Sequence, residues 1–138
     1  DEEGRKMGFN ILARAYELFS FPFVGLGTHM RKLKERPDEV KRTIRALIKA
    51  NRFIRQNREG TIQTLAEWGR ITPALAATAY DSAYKVYNLD GNIPDDGLLA
   101  VIEQAVKESK PARAIGVSDV SDMTALRDAQ KELGIKGK

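Results

Sequence analysis

The sequence predicts a predominantly α-helical chain with a short N-terminal β portion. Three observations carry that prediction. Residues 36–57 place Val40, Ile44, Leu47, Ile48 and Ile54 on one face at helical spacing, with Lys41, Arg42, Arg45, Lys49, Arg52 and Arg55 on the other. Pro37, Pro73 and Pro94 stand where helices begin: Asp38 and Glu39 follow the first, Thr72 precedes the second, and Asp95 and Asp96 follow the third. Residues 8–23, in contrast, are rich in aromatic and aliphatic side chains with little helical spacing, so Phe9-Asn10-Ile11-Leu12 reads as a strand.

Taken in order, the β portion consists of that strand, which residues 14–20 extend, and a second extended segment over 21–26. Pro22 and Gly25-Leu26-Gly27 oppose a helix there. Thr28 is placed to cap a short helix over 29–35. The long helix follows, with acidic residues in its first turn, where the macrodipole favours negative charge. Asn57 and Gly60 mark a break, and Ile62, Leu65, Ala66 and Trp68 give a short helix over 61–69 an apolar side. A helix from Thr72-Pro73 runs to about Tyr87, with Leu75, Ala76, Ala79, Tyr80, Ala83 and Val86 along one stripe. Asn88 to Pro94 reads as a turn-rich loop. The next helix carries Leu98, Leu99, Val101, Ile102, Ala105 and Val106 and ends at Lys110-Pro111. A short extended piece is expected over 114–117. Ser121 caps a final helix over 122–133, and Gly134 follows as its left-handed terminator.

Composition excludes several classes. Hydrophobic residues make up 42% of the 138, enough for an ordinary core, but no apolar run is long enough to span a bilayer. The absence of cysteine removes disulfides, thiolate nucleophiles and cysteine–metal sites, and a single histidine, His29, cannot form a histidine cluster. The opening DEEGRK lacks the apolar core of a secretion signal. Charge is uneven: between Arg31 and Arg58 eleven basic residues face three acidic ones, while the rest of the chain is net acidic. A block of that kind is a reason to consider an anionic partner.

Each candidate for chemistry has a plainer explanation. Asp95-Asp96 and Asp119 with Asp122 are the nearest carboxylate pairs, and both sit where helix starts call for Asp. Leu89-Asp90-Gly91-Asn92 lacks the spaced oxygen ligands and terminal Glu of a calcium loop. Gly25-Leu26-Gly27-Thr28 lacks the lysine of a phosphate loop and reads as a turn. Trp68 is expected to pack in a core or against a lobe, and Tyr80, Tyr84 and Tyr87 form a helical stripe. The basic helix reads as one solvated face over an apolar stripe, without a recognition-helix turn or an aromatic platform. No residue set supports an enzyme, and no metal or cofactor is expected.

The order of segments resembles the C-terminal part of ABC-transporter solute-binding proteins, in the group that includes nitrate, taurine, aliphatic-sulfonate and thiamine-precursor binders. KMGFNILARAYEL looks like the last strand of the second lobe. FPFVGLGTHMRKLKERPDEVKRTIRALIKANRFIRQNREGTIQTLAEW looks like the return to the first lobe with its following helices, including the P-[DE]-x-V helix start. ITPALAATAYDSAYKVYNLDGNIPDDGLLAVIEQAVKES and VSDVSDMTALRDAQKELGI look like the closing helices. The resemblance implies the C-terminal part of a two-lobed α/β periplasmic-binding fold. Residues 1–27 would be the end of the second lobe and the interlobe crossing, and residues 28–138 a helical C-terminal part. It implies capture of a small organic ligand, delivery to a membrane permease, an extracytoplasmic location and no covalent chemistry. Tyr16, Glu17, Ser20, Gly25 and Thr28 would then face the ligand. The sequence departs from the family in lacking its first half, its signal peptide and its lipid-attachment cysteine. Strands without their sheet expose edges, so two copies are expected to pair as a homodimer through residues 9–26. The alternative is a cytoplasmic helical interaction module that contacts nucleic acid through residues 36–57.

Overall fold

The computed structural model describes residues 2–18, 22 and 24–135, and its elements are all helical. They are α1 (Glu2–Lys6), α2 (Ala15–Leu18), α3 (Met30–Glu35), α4 (Pro37–Gln56), α5 (Arg58–Gly69), α6 (Pro73–Ala83) with a 3₁₀ turn (Tyr84–Val86), α7 (Asp95–Ser109), α8 (Val117–Val120) and α9 (Thr124–Glu132). The expected N-terminal β portion is thereby overturned: no strand occurs among the described residues. Residues 9–14 and 24–29 belong to no helix or strand, and the expected extension of the first strand contains the single turn α2. Ser20, Phe21 and Phe23 lie outside the described residues. The physical reason is the ladder. A strand exists by exchanging hydrogen bonds with a partner, and strand-favouring side chains alone cannot supply one. The homodimer expected through residues 9–26 rests on strand edges that the described residues of that stretch do not form.

The helix starts follow their local chemistry, with four adjustments. His29, not Thr28, caps α3: its Nδ1 accepts from the Lys32 amide at 3.0 Å. The helix after Asn57 starts earlier than expected because the Asn57 carboxamide accepts from the Gly60 amide at 2.9 Å. The stretch expected to be extended over 114–117 instead leads into α8 at Val117, where Asp119 reaches back to the Gly116 amide at 2.8 Å. Asp122, not Ser121, serves the start of α9, accepting from the Thr124 amide at 2.9 Å. Gly134 is left-handed as expected (φ 67°). Arg70 and Lys110 end α5 and α7 in the same conformation without being glycine.

The chain divides into two compact units, with the boundary inside α4 between Arg45 and Ala46. The first unit comprises Asp1–Arg14 with Ala46–Leu89. In it α5 and α6 pack as a helical hairpin across the short link at residues 70–72. Ile48, Thr61, Ala76 and Tyr80 are its buried residues. Arg58, at the start of α5, donates two hydrogen bonds to the Asp81 carboxylate near the end of α6 (2.9 and 2.7 Å). Gly60 is closely approached: a Cβ there would lie 2.9 Å from the Phe53 ring and from the Asn57 side chain, so those side chains would have to shift.

The second unit comprises Ala15–Arg45 with Asp90–Lys138, and Val40, Ile102, Leu126, Ala129 and Gln130 are buried in it. Its α9 is tied to the first half of α4 through Glu132, which receives both Lys41 (2.9 Å) and Arg45. The two cations are four residues apart and so project together. α7 packs on α8.

The apolar stripe of α4 is thus unequal. Ile48 is 1% exposed, whereas Leu47 is 47% exposed. Ile48→Ala is expected to destabilise the protein by about 2–4 kcal/mol through lost contacts and an unfilled cavity, and Leu47→Ala by less than about 1 kcal/mol. Urea denaturation of the two variants checks the difference. Equal midpoints would contradict the burial assignment.

Candidate functional site

Of the five ligand-side candidates, four lie among the described residues. Tyr16 and Glu17 share the single turn α2 and are exposed. Gly25 and Thr28 sit in the non-helical run before α3, also exposed, and a Cβ built on Gly25 meets no atom within 4 Å. Ser20 lies outside the described residues. A cleft-facing glycine would leave room that a side chain fills against a wall, and Gly25 has no such wall.

Two cavities form in the second unit, and neither is lined by these residues. One, of about 230 Å³, is bordered by His29, Arg31, Lys32, Glu35 and Arg36. Its cations already have carboxylates: Lys32 lies 2.5 Å and Arg36 3.4 Å from Glu39, and Arg31 lies 3.9 Å from Glu35. The hydrogen bond from Lys32 draws the Glu39 carboxyl below its ordinary range. The other cavity, of about 210 Å³, is a groove floored by Leu33, Pro37, Val40 and Ala125, with Asp38, Asp122 and Asp128 at its rim.

The basic block has been assigned internal work. Lys41 and Arg45 meet Glu132, whose carboxyl is held low chiefly by the hydrogen bond from Lys41. Arg52 donates to the Leu89 carbonyl at 2.9 Å. Arg55 donates to the Lys85 carbonyl at 3.0 Å and lies 5.4 Å from the Tyr84 ring centre. Arg58 holds Asp81 and lies 5.9 Å from the Tyr80 ring. Tyr80 and Tyr84 stack at 5.3 Å, so two guanidinium groups and two rings form one half-buried cluster. All of these cations remain half-buried or exposed, so the basic face is a surface face whose charges are largely paired. Lys34, Arg42 and Lys49 remain exposed, while the other cations between 31 and 58 have partners.

Asp96, Asp119, Asp122 and Asp90 are likewise occupied. Asp96 accepts from the Gly97 amide at 2.8 Å, and Asp122 from the Thr124 amide. Asp119 binds Arg113 through both oxygens (3.1 and 2.9 Å) as well as the Gly116 amide. The Arg113 hydrogen bond, followed by that amide, brings the Asp119 carboxyl down to about 2. The Asp90 turn holds itself: the Asp90 carboxylate accepts from the Asn92 amide (3.0 Å) and side-chain nitrogen (2.7 Å). Gln130, 4% exposed, donates to the Asp90 carbonyl (2.9 Å) and the Asn92 side-chain oxygen (3.1 Å). Among the described residues no group of three His, Asp or Glu side chains is placed to hold a metal ion, and no helix is long and apolar enough to cross a membrane.

Sequence reasoning missed Gln130. It stands between Ala129 and Lys131 on the last helix, and only its position four residues after Leu126, on the buried face, hinted at burial. Trp68, expected to pack, is 86% exposed in the chain itself. No family model matches this chain, and no curated protein or solved structure matches it.

Three outcomes follow from this geometry. Gln130→Leu removes the donor to the Asp90 carbonyl and the Asn92 side-chain oxygen and is expected to cost about 1–2 kcal/mol in urea denaturation, an unchanged midpoint being the contrary result. Asp119 has a folded-state pKa of about 2 against an ordinary 3.8, so its contribution is present above the ordinary value and is lost as pH falls between the two. Thermal melts of Asp119→Asn in that interval should show a shallower loss of stability with falling pH than the parent. With most cations paired internally, the protein should leave duplex DNA unretarded on a native gel even at low salt. A salt-sensitive shift abolished by Arg42→Glu with Lys49→Glu would reverse that expectation.

Proposed function

We propose that this chain is part of the solute-binding component of an ABC transporter and serves the capture of a small organic molecule for uptake. The order of its segments supports this reading, and one structural observation carries it. The run before α3 exposes large apolar side chains, including Leu12 (96%) and Val24 (84%), while the helices that follow have buried cores. Such a run behaves as a segment that packs on an apolar surface of another body.

In this reading the helices support a lobe, residues 16–28 lie near the cleft, and Tyr16, Glu17, Ser20, Gly25 and Thr28 acquire their surroundings only when the remaining lobe is present. Partners are the small ligand and a membrane permease, and the location is extracytoplasmic. No covalent step is involved, because ligand is held and released by closure of two lobes.

The test begins with the genomic locus. Sequencing it should reveal in-frame codons for a secretion signal and a first lobe ahead of Asp1, beside permease genes. A start codon directly upstream with no permease nearby would sink the proposal. The protein from the whole reading frame should then gain thermal stability with one class in a panel of small organic acids and amines, as binding to the native state requires.

A further inference from the structure

We draw no further inference here: the strongest candidate, the groove of about 210 Å³ among α3, α4 and α9 with Asp38, Asp122 and Asp128 at its rim, is an acidic cluster whose members already face Lys41 or serve the start of α9, and nothing in the structure shows what would cover its apolar floor.

Discussion

Carbonyls released at helix ends need donors, and meeting that need organises the first unit. The last turn of α4 leaves its carbonyls without intrahelical partners. The Tyr80 hydroxyl donates to one of them, Ile54, at 2.7 Å. Arg55, from that same turn, supplies the carbonyls of Tyr84 and Lys85 where α6 tightens into its 3₁₀ turn. Arg52 supplies Leu89 one turn earlier. Each donor is carried by a ring or guanidinium that also packs. Tyr80 is 6% exposed and stacks on Tyr84, and Arg58 lies over the Tyr80 ring while it grips Asp81. Losing Tyr80 would therefore remove a hydrogen bond and the wall of a cluster at once.

The second unit uses the same economy with different groups. Glu132 gathers Lys41 and Arg45, joining the last helix to the long one. Gln130, two residues earlier on α9, holds the Asp90 turn that precedes α7. Exposed ion pairs contribute little individually. The buried amide of Gln130 matters more, because a polar group withdrawn from water contributes through the hydrogen bonds it makes. These demands engage most cations of the basic block.

Helix existence was largely legible because its signals are local. Pro37, Pro73 and Thr72, the acidic first turns and Gly134 act within four residues of themselves, and the structure honours them. Cap identity was less legible. His29 displaced Thr28 and Asp122 displaced Ser121, because neighbouring side chains compete for the same amide and backbone direction settles the choice. The left-handed Arg70 and Lys110 carried no signal at all. The β portion failed for a different reason: Phe9, Ile11 and Leu12 suit a strand, but a strand is a property of a pair. Of the candidate ligand residues, Tyr16 and Glu17 lie on one helical turn, and a Cβ on Gly25 would meet open space.

By itself the sequence determined where α4, α6 and α7 start, that α4 has opposed apolar and basic faces, and that cysteine and histidine-cluster chemistry is absent. Those properties depend on residue identity and on spacing along a 3.6-residue period. Only the tertiary structure decided what the basic face does, which of Leu47 and Ile48 is buried, and that Gln130 is a buried clamp. Each of these depends on which distant carbonyl, carboxylate or ring arrives beside the residue, and separations of 23 to 40 positions, as between Arg58 and Asp81 or Asp90 and Gln130, leave no periodic trace in the chain.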